Sequence, residues 1–260
     1  MVITLSKMSE KISQIIKNSL LTQKEVFGDI LYESKRNTVK TEMPENIKLA
    51  VNEPSNAATY KADKFNAEDF MTALNLEELH SKIHNCQKCG LSKSRTNFVF
   101  GDGNPNADIM LIGEAPGAEE DKTGIPFVGR AGKLLTDILK AINLTREEIY
   151  IANILKCRPP KNRDPQPEER DACMPYLLKQ IDLIKPKMIL CLGRIAANTL
   201  LGTNQSLTKL RENVHEFHGV PMIATFHPAA LLRNPNWKRP VWEDVQKFRK
   251  MYDQMIADGK

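Results

Sequence analysis

The sequence predicts an α/β fold in which a parallel β-sheet is covered by helices on both faces. Four short apolar runs bounded by polar turns have the length and composition of buried parallel strands, over 108–112, 149–155, 188–192 and 220–226. Helical segments separate these runs over 129–142, 167–184 and 194–201, and a last amphipathic helix spans 241–256. Strand alternating with helix is the pattern of a parallel sheet between helical layers.

The first 75 residues differ in composition from the rest of the chain, and they are expected to form an N-terminal extension or linker to a domain spanning 76–260. The segment 8–32 can form an amphipathic helix, whereas 37–64 is polar and has no sustained apolar period. We therefore expect residues 1–75 to be weakly structured and partly helical.

A further helix is predicted over 69–84, with Asn66 as its candidate cap. It offers four apolar side chains to a core, namely Phe70, Leu74, Leu76 and Leu79. The α/β pattern starts directly after it, from Cys86 onward.

The bulk composition is that of a globular protein, since 41% of the 260 residues are hydrophobic and 27% are charged. No apolar run is long enough to cross a membrane, and the first residues lack the pattern of a signal peptide, so a cytoplasmic protein is expected. The net charge is +5, and the basic excess lies after residue 85, where 26 Lys and Arg face 20 Asp and Glu. This charge permits a polyanionic partner without requiring one.

Chemistry-bearing residues lie directly after the ends of the four predicted strands. The first strand runs into Gly-Glu-Ala-Pro-Gly from Gly113, a sharp turn that leads to further carboxylates and to Phe127. Asn153 lies near the end of the second predicted strand. A Leu-Gly-Arg turn follows the third strand, and His227-Pro228 follows the fourth. Because the carboxyl ends of parallel strands meet at one edge, where open α/β sheets bind ligands, these residues are expected to converge.

Five cysteines are too few for a disulfide framework in a chain of this length, which leaves metal, cluster or core roles. Cys86 and Cys89 form a CxxC pair, and Cys157 and Cys173 come much later in the chain. Four thiols of this kind suit zinc or a [4Fe–4S] cluster, and they can also be unligated. Because the second pair is widely split, unlike the knuckles of zinc ribbons, the spacing favours iron–sulfur. Cys191 lies within an apolar run and is predicted to be a core residue.

The chain resembles the family 4 uracil-DNA glycosylases, the iron–sulfur branch of the uracil-DNA glycosylase superfamily. The resemblance runs from Cys86 to the last helix and is carried by GEAPGAEEDKTGIPFVGRAG, NILKCRPPKNR and FHPAALLRNP. It implies a three-layer αβα fold with a central four-stranded parallel sheet. It also implies a [4Fe–4S] cluster, whose ligands would be Cys86, Cys89, Cys157 and Cys173.

The activity implied by the resemblance is that of a monofunctional uracil-DNA glycosylase, which initiates base excision repair. Such an enzyme flips uracil out of DNA and hydrolyses its N-glycosidic bond, leaving an abasic site. His227 would donate to uracil O2, where negative charge develops as the base leaves. Asn153 would offer a donor and an acceptor to the O4 and N3–H edge, which cytosine would mismatch. Phe127 would stack on the ring.

The first turn supplies the rest of the implied site. Glu114 would position the attacking water, either as a general base or by orienting water and backbone. Ala115 stands where the best-known uracil glycosylases carry Asp, and Gly117 where they carry a bulky Tyr that blocks thymine. The resemblance assigns this exclusion to Glu120, which would press where a 5-methyl group would sit.

The sequence after His227 is implied to form an intercalation loop. An apolar wedge of Leu231 and Leu232 would fill the gap left by the flipped base, and Arg233 would meet phosphate. Leu231 could equally be a core residue. Further candidates for phosphate contacts surround Cys157, namely Lys156, Arg158, Lys161 and Arg163. The expected partner is uracil-containing DNA, single- or double-stranded, and the protein is expected to be a monomer that crosses no membrane.

Two other functions stay open from the sequence. One is that of a superfamily member with a shifted substrate range, such as another deaminated base. The other is that of a non-catalytic DNA-binding module, stabilised by zinc or a cluster and tied to a repair or replication protein through the N-terminal extension. The cluster is expected to be structural, because no step of glycosidic hydrolysis needs an electron.

Overall fold

The computed structural model describes residues 5–28 and 69–259, and it has the predicted α/β architecture. The described strands are β1 (Asp102–Gly103), β2 (Ile109–Gly113), β3 (Tyr150–Asn153), β4 (Met188–Leu192), β5 (His215–Phe217) and β6 (Val220–Thr225). They form one sheet in the order β1-β3-β2-β4-β6-β5. The four predicted strands correspond to β2, β3, β4 and β6, which pair in parallel.

The two edge strands of the sheet were not predicted. β1 pairs antiparallel with β3, and β5 pairs antiparallel with β6. With two and three residues, these strands are too short to show an apolar period. β5 and β6 form a hairpin whose turn residues, His218 and Gly219, both have positive φ (52° and 77°), as in a type I′ turn. The expected four-stranded sheet is therefore the parallel centre of a mixed, six-stranded one.

The described α-helices are α1 (Leu5–Phe27), α2 (Leu76–Ile83), α3 (Ala118–Thr123), α4 (Arg130–Ala141), α5 (Pro167–Ile184), α6 (Arg194–Leu201), α7 (Leu207–Arg211), α8 (Pro228–Arg233) and α9 (Lys238–Ala257). Two hydrophobic cores separate them into layers. One core joins one face of the sheet to α5, α6 and α7. The other joins the opposite face to α1, α4, α8 and α9, which completes the three-layer arrangement.

The strand β2 runs through the middle of these layers. Met110 and Ile112 pack in the core that contains α5, whereas Ile109 and Leu111 pack in the core that contains α4. All five residues of β2 are buried, because both faces are covered and strands flank it on both sides. This is why the strand reads as a continuous apolar run. Cys191 of β4 is fully buried in the first of these cores, as predicted.

Part of the N-terminal segment belongs to the packed structure. The predicted helix over 8–32 is described as α1, and Val26 and Phe27 near its end are buried in the core that contains α4. The Phe27 ring lies 4.6 Å from that of Trp242, and Gln23 Nε2 donates to the Ala141 carbonyl (2.9 Å). The polar segment 37–64 lies outside the described residues. A division of the chain near residue 75 stays a prediction.

The helix predicted over 69–84 is interrupted. A 3₁₀ turn at Asp69–Thr72 precedes α2, which starts after Asn75, and Asn75 Oδ1 accepts from the Glu78 N–H (2.9 Å). Because the chain breaks between the two, Leu74 is 82% exposed and its predicted core role is wrong. Phe70 and Leu79 are buried as predicted. The predicted cap, Asn66, lies outside the described residues.

None of the helices in the described ranges is both long and apolar enough to cross a bilayer.

Candidate active site

The predicted site residues lie at the carboxyl ends of the parallel strands. Gly113, the last residue of β2, is in register with Asn153, the last residue of β3. Glu114 comes directly after β2, and its carbonyl accepts from the Leu155 N–H (3.0 Å), which holds the two chain segments together beyond the sheet. His227 lies two residues beyond β6.

A close approach at Gly113 brings two of these side chains together. A Cβ atom at this position would overlap Asn153 Oδ1 and would lie 2.7 Å from Phe127 Cζ. Only glycine leaves this space to the amide and the ring. Asn153 and Phe127 therefore meet at the end of β2, as the sequence predicted.

Asn153 carries an unpaired acceptor in a buried position. The residue is 2% exposed, and its Oδ1 is the one buried side-chain polar atom of the described ranges that has no hydrogen-bond partner. An unsatisfied buried acceptor costs about 1–3 kcal/mol, so such atoms are rare and usually have a functional explanation. A ligand N–H placed beside Phe127 would satisfy this oxygen.

His227 is held in one neutral tautomer. Its Nδ1 accepts from the Ala229 N–H (3.1 Å) at the start of α8, so in the neutral ring the proton is on Nε2, which is then a donor. Burial and, to a lesser extent, Arg233 lower the pKa of His227 to about 4, while Glu120 opposes the shift. The ring is therefore uncharged at neutral pH. Its centroid lies 5.3 Å from that of Phe127.

Phe127 is fixed by a strained turn. Its φ is +54°, a left-handed value that costs a non-glycine residue about 1–3 kcal/mol. Arg146 holds the turn by donating to the carbonyls of Pro126 (2.9 Å) and Phe127 (3.1 Å). Gly132 allows the backbone of Phe127 to approach α4, since a Cβ there would overlap the Phe127 carbonyl. The ring, 6% exposed, is thereby directed towards His227 and Asn153.

Glu120 links the two loops beside the site. Its carboxylate accepts from the backbone N–H groups of Gly117 (3.1 Å), Val128 (3.0 Å) and Gly129 (3.0 Å). A Cβ at Gly117 would lie 2.6 Å from Glu120 Oε2, so the glycine makes room for the carboxylate. The predicted exclusion of thymine by Glu120 stays a prediction, and these contacts give the same residue a role in positioning the loop.

Glu114 lies in a charged surrounding that the sequence did not reveal. Burial and, to a lesser extent, Asp164 raise its pKa from 4.5 to about 7, while Arg194 and Arg170 oppose the shift. Asp164 and Arg170 flank the start of α5, and Arg194 begins α6 after the Leu-Gly-Arg turn. Because these residues follow β3 and β4, their positions in the sequence could have identified them as site residues. Ala115 is half-buried and packs against the core that contains α5.

The predicted intercalation loop is only partly available to DNA. It forms α8, and Leu231 is 1% exposed in the core that contains α4, so its predicted role in the wedge is wrong. Pro228 starts the helix and thereby sets which leucine faces inward. Leu232, 44% exposed, and Arg233, also exposed, lie on the outer side.

The basic residues around Cys157 divide in the same way. Lys156 is fully buried and cannot reach phosphate, and Arg163 forms a bidentate pair with Glu169 (2.6 and 2.9 Å). Arg158 and Lys161 stay as candidates for phosphate contacts. Lys161 and Asn162 both have positive φ (55° and 54°), which makes a sharp turn here.

The four predicted thiols are neighbours, although they come from distant parts of the chain. Burial raises the pKa of Cys157, and its charge is further disfavoured by Cys89 and Cys86. Burial also raises the pKa of Cys173 to about 12, with Cys157 and Cys89 adding to the shift. The sulfurs accept from Arg95 Nη1 (Cys157, 3.3 Å), Tyr176 Oη (Cys86, 3.2 Å) and the Lys88 N–H (Cys86, 3.5 Å).

Within the described ranges, no three Cys, His, Asp or Glu side chains are arranged to hold one metal ion. Cys191 is not part of the group and lies in the sheet.

Comparison with known proteins gives a consistent result. A family model described as the uracil DNA glycosylase superfamily matches residues 100–246. The chain is 44% identical over 181 residues to a type-4 uracil-DNA glycosylase of Archaeoglobus fulgidus, which covers 66% of this chain and 91% of that protein. It is 47% identical over 178 residues to the type-4 enzyme of Thermotoga maritima, covering 67% and 93%. A type-5 uracil-DNA glycosylase of Thermus thermophilus is 35% identical over 180 residues, covering 62% and 78%.

Proposed function

This chain belongs to the uracil-DNA glycosylase superfamily and to its type-4 family, and on that premise we propose that it is a monofunctional uracil-DNA glycosylase of base excision repair. It would hydrolyse the bond between uracil and deoxyribose in DNA and leave an abasic site. The observation that carries the proposal is the buried, unpaired Oδ1 of Asn153 beside the Phe127 ring, which in turn neighbours the ring of His227.

Recognition of the base depends on the donors and acceptors of this pocket. Asn153 Oδ1 accepts from uracil N3–H, and the amide NH₂ donates to O4. Cytosine presents an acceptor at N3 and a donor at its exocyclic amine, so both contacts would be mismatched. Leaving buried polar groups unpaired is the strongest basis for rejecting a near-isosteric ligand. The Phe127 ring supplies a stacking surface for the extruded base.

The reaction breaks the C1′–N1 bond, and the electron pair leaves with the base. Negative charge then spreads to uracil O2, where the Nε2–H of the neutral His227 can donate. The water oxygen adds to C1′, and Glu114 holds that water. In its deprotonated form Glu114 can also take the water's proton, for which a pKa of about 7 is well suited.

The grip on DNA would come from residues outside the pocket. Leu232 is the exposed apolar side chain that can enter the gap left by the base, and Arg233 beside it suits a phosphate. The substrate class is uracil-containing DNA, double- or single-stranded. We propose a cytoplasmic monomer whose N-terminal segment is available to a repair or replication protein.

A [4Fe–4S] cluster on Cys86, Cys89, Cys157 and Cys173 is part of the proposal. The thiols suit it because such clusters are held by four Cys thiolates, and because N–H and O–H groups of Arg95, Tyr176 and Lys88 donate to the sulfurs of Cys157 and Cys86. When bound, the cluster supplies a cross-link and no step of the hydrolysis. Brown protein that contains iron in place of zinc would support it, whereas colourless protein with one zinc per chain would refute it.

The activity is tested with a uracil-containing oligonucleotide, followed by alkali to break abasic sites. Wild-type protein should cut both the single-stranded and the U:G substrate, and Asn153→Ala and His227→Ala should each lose about a hundredfold or more of the rate. Lys140→Met, at an exposed position of α4, is the matched control. Binding of the oligonucleotide without cleavage by wild-type protein would instead favour the non-catalytic alternative.

A further inference from the structure

The side chain of Lys156 contacts the main chain of Asn153, the residue proposed to read the base. The residue is 0% exposed, and its Nζ donates to the main-chain carbonyl of Asn153 (2.9 Å) and to Gln180 Oε1 (2.6 Å). Gln180 is fully buried in turn, and its amide donates to the Phe100 carbonyl (3.0 Å) and to Tyr150 Oη (3.3 Å). The ammonium is therefore fixed by a hydrogen-bonded network that no phosphate can reach.

The carbonyl of Asn153 lacks a partner in the sheet. The Ile154 N–H donates across to Gly113 in β2, so the Asn153 carbonyl faces the other side of β3. On that side β1 pairs only with Tyr150 and Ile151, and it does not extend alongside Asn153. Lys156 replaces the missing strand, and its ammonium fixes the peptide from which the amide of Asn153 projects.

We propose that Lys156 is a positioning residue for uracil recognition, which holds the Asn153 amide in place through the main-chain carbonyl of that residue. The inference rests on the proposed glycosylase function. It predicts that Lys156 acts only through Asn153, so its removal should matter only while the Asn153 side chain is present.

The test uses the full-length, iron-loaded protein and the change Lys156→Met, which keeps the length of the side chain and removes the ammonium. Single-turnover release of uracil should slow about ten- to a hundredfold, since a small misplacement of a recognition group can cost that much. Equilibrium binding of free uracil should weaken in parallel. In the double variant with Asn153→Ala, the rate should fall no further than in Asn153→Ala alone. Lys140→Met, an exposed lysine on α4, should leave both quantities unchanged.

The outcomes separate the inference from the function on which it rests. A wild-type protein that releases no uracil would refute the glycosylase function and the inference together. An active wild type with an equally active Lys156→Met, or with losses that add in the double variant, would overturn the inference alone. Loss of iron from Lys156→Met would assign the lysine to retention of the cluster and would likewise overturn it.

Should Lys156→Met fail to fold, Gln180→Leu gives the second measurement. It removes the other acceptor of the ammonium and leaves Lys156 and Asn153 in the chain. A smaller slowing is expected, again absent when Asn153 is already Ala. Equal slowing in the presence and absence of the Asn153 side chain would show that the network only supports the fold.

Discussion

At the scale of a single residue, Glu114 is a buried carboxyl group whose charged form lowers the stability of the folded protein. Burial and Asp164 raise its pKa from 4.5 to about 7. Between these values the folded protein binds more protons at this group than the unfolded chain does. Stability attributable to Glu114 is therefore lost as the pH rises through this window.

Replacing Glu114 with Gln should reverse this effect and abolish catalysis. At pH 8 the variant should be more stable than wild type by about 1–3 kcal/mol, from the conversion of the pKa shift. The gain should shrink as the pH falls towards 4.5. Urea unfolding at several pH values measures it, alongside uracil release. A variant that is less stable at pH 8 would contradict the interpretation of Glu114 as a disfavoured buried charge.

Asn153 provides a test of how the base is read. In Asn153→Asp a protonated carboxyl group can donate to the N3 of cytosine and accept from its exocyclic amine, which reverses the pattern that suits uracil. We expect slower release of uracil and measurable release of cytosine from matched oligonucleotides. Unchanged selectivity would mean that another group reads this edge of the base.

At the scale of elements, α8 shows how a helix start decides which residue has which role. The sequence presents two adjacent leucines, and both fit an apolar wedge. With Pro228 at the first position, the helix turns Leu231 into the core and Leu232 outward. The order of strands and helices could be predicted from apolar periods, but this register could not, because it depends on where α8 docks on α4.

The two leucines should therefore behave differently. Leu231→Ala truncates a core side chain and should lower the free energy of unfolding by about 2–5 kcal/mol. Leu232→Ala should change stability by less than about 0.5 kcal/mol. It should slow uracil release from double-stranded DNA and spare single-stranded DNA, which leaves no gap to fill. Chemical denaturation and parallel assays on the two substrates compare them, and equal effects of both changes would contradict the assignment.

Other elements mark the same limit of sequence-based prediction. The motifs identified Asn153, Phe127 and His227 because each follows a strand end or a Gly-rich turn. They did not reveal that Lys156 points inward, since a basic loop next to cysteines resembles a phosphate-binding one. Nor did they reveal the two edge strands, whose few residues are defined by their partners and not by a pattern.

At the scale of the whole molecule, the N-terminal helix α1 supports the domain from the side opposite to the site. It contacts α4 at its C-terminal end through Ala141, whereas the site lies at the N-terminal end of α4. The polar composition of residues 37–64 predicts a weakly structured N-terminal segment. The apolar residues at the end of α1 are nevertheless buried, because they pack in a core to which α9 also contributes.

Truncation of Phe27 should separate stability from activity. Phe27 is 1% exposed and packs on Trp242, so Phe27→Ala should cost about 3–5 kcal/mol of folding free energy. The rate of uracil release at 25 °C should stay within about twofold of wild type, because distant sites act independently. Thermal melting and single-turnover assays on the same preparation measure both. A large loss of rate in folded protein would show that α1 is coupled to the pocket.

The central position of β2 has a consequence for motion. The amides of a strand that is paired on both sides and covered on both faces exchange with solvent only when the whole domain opens, whereas edges and short helices open on their own. The turn that carries Glu114 directly follows this strand, whose amides are expected to exchange most slowly. We therefore expect Glu114 to keep its position while a nucleotide enters and leaves the site.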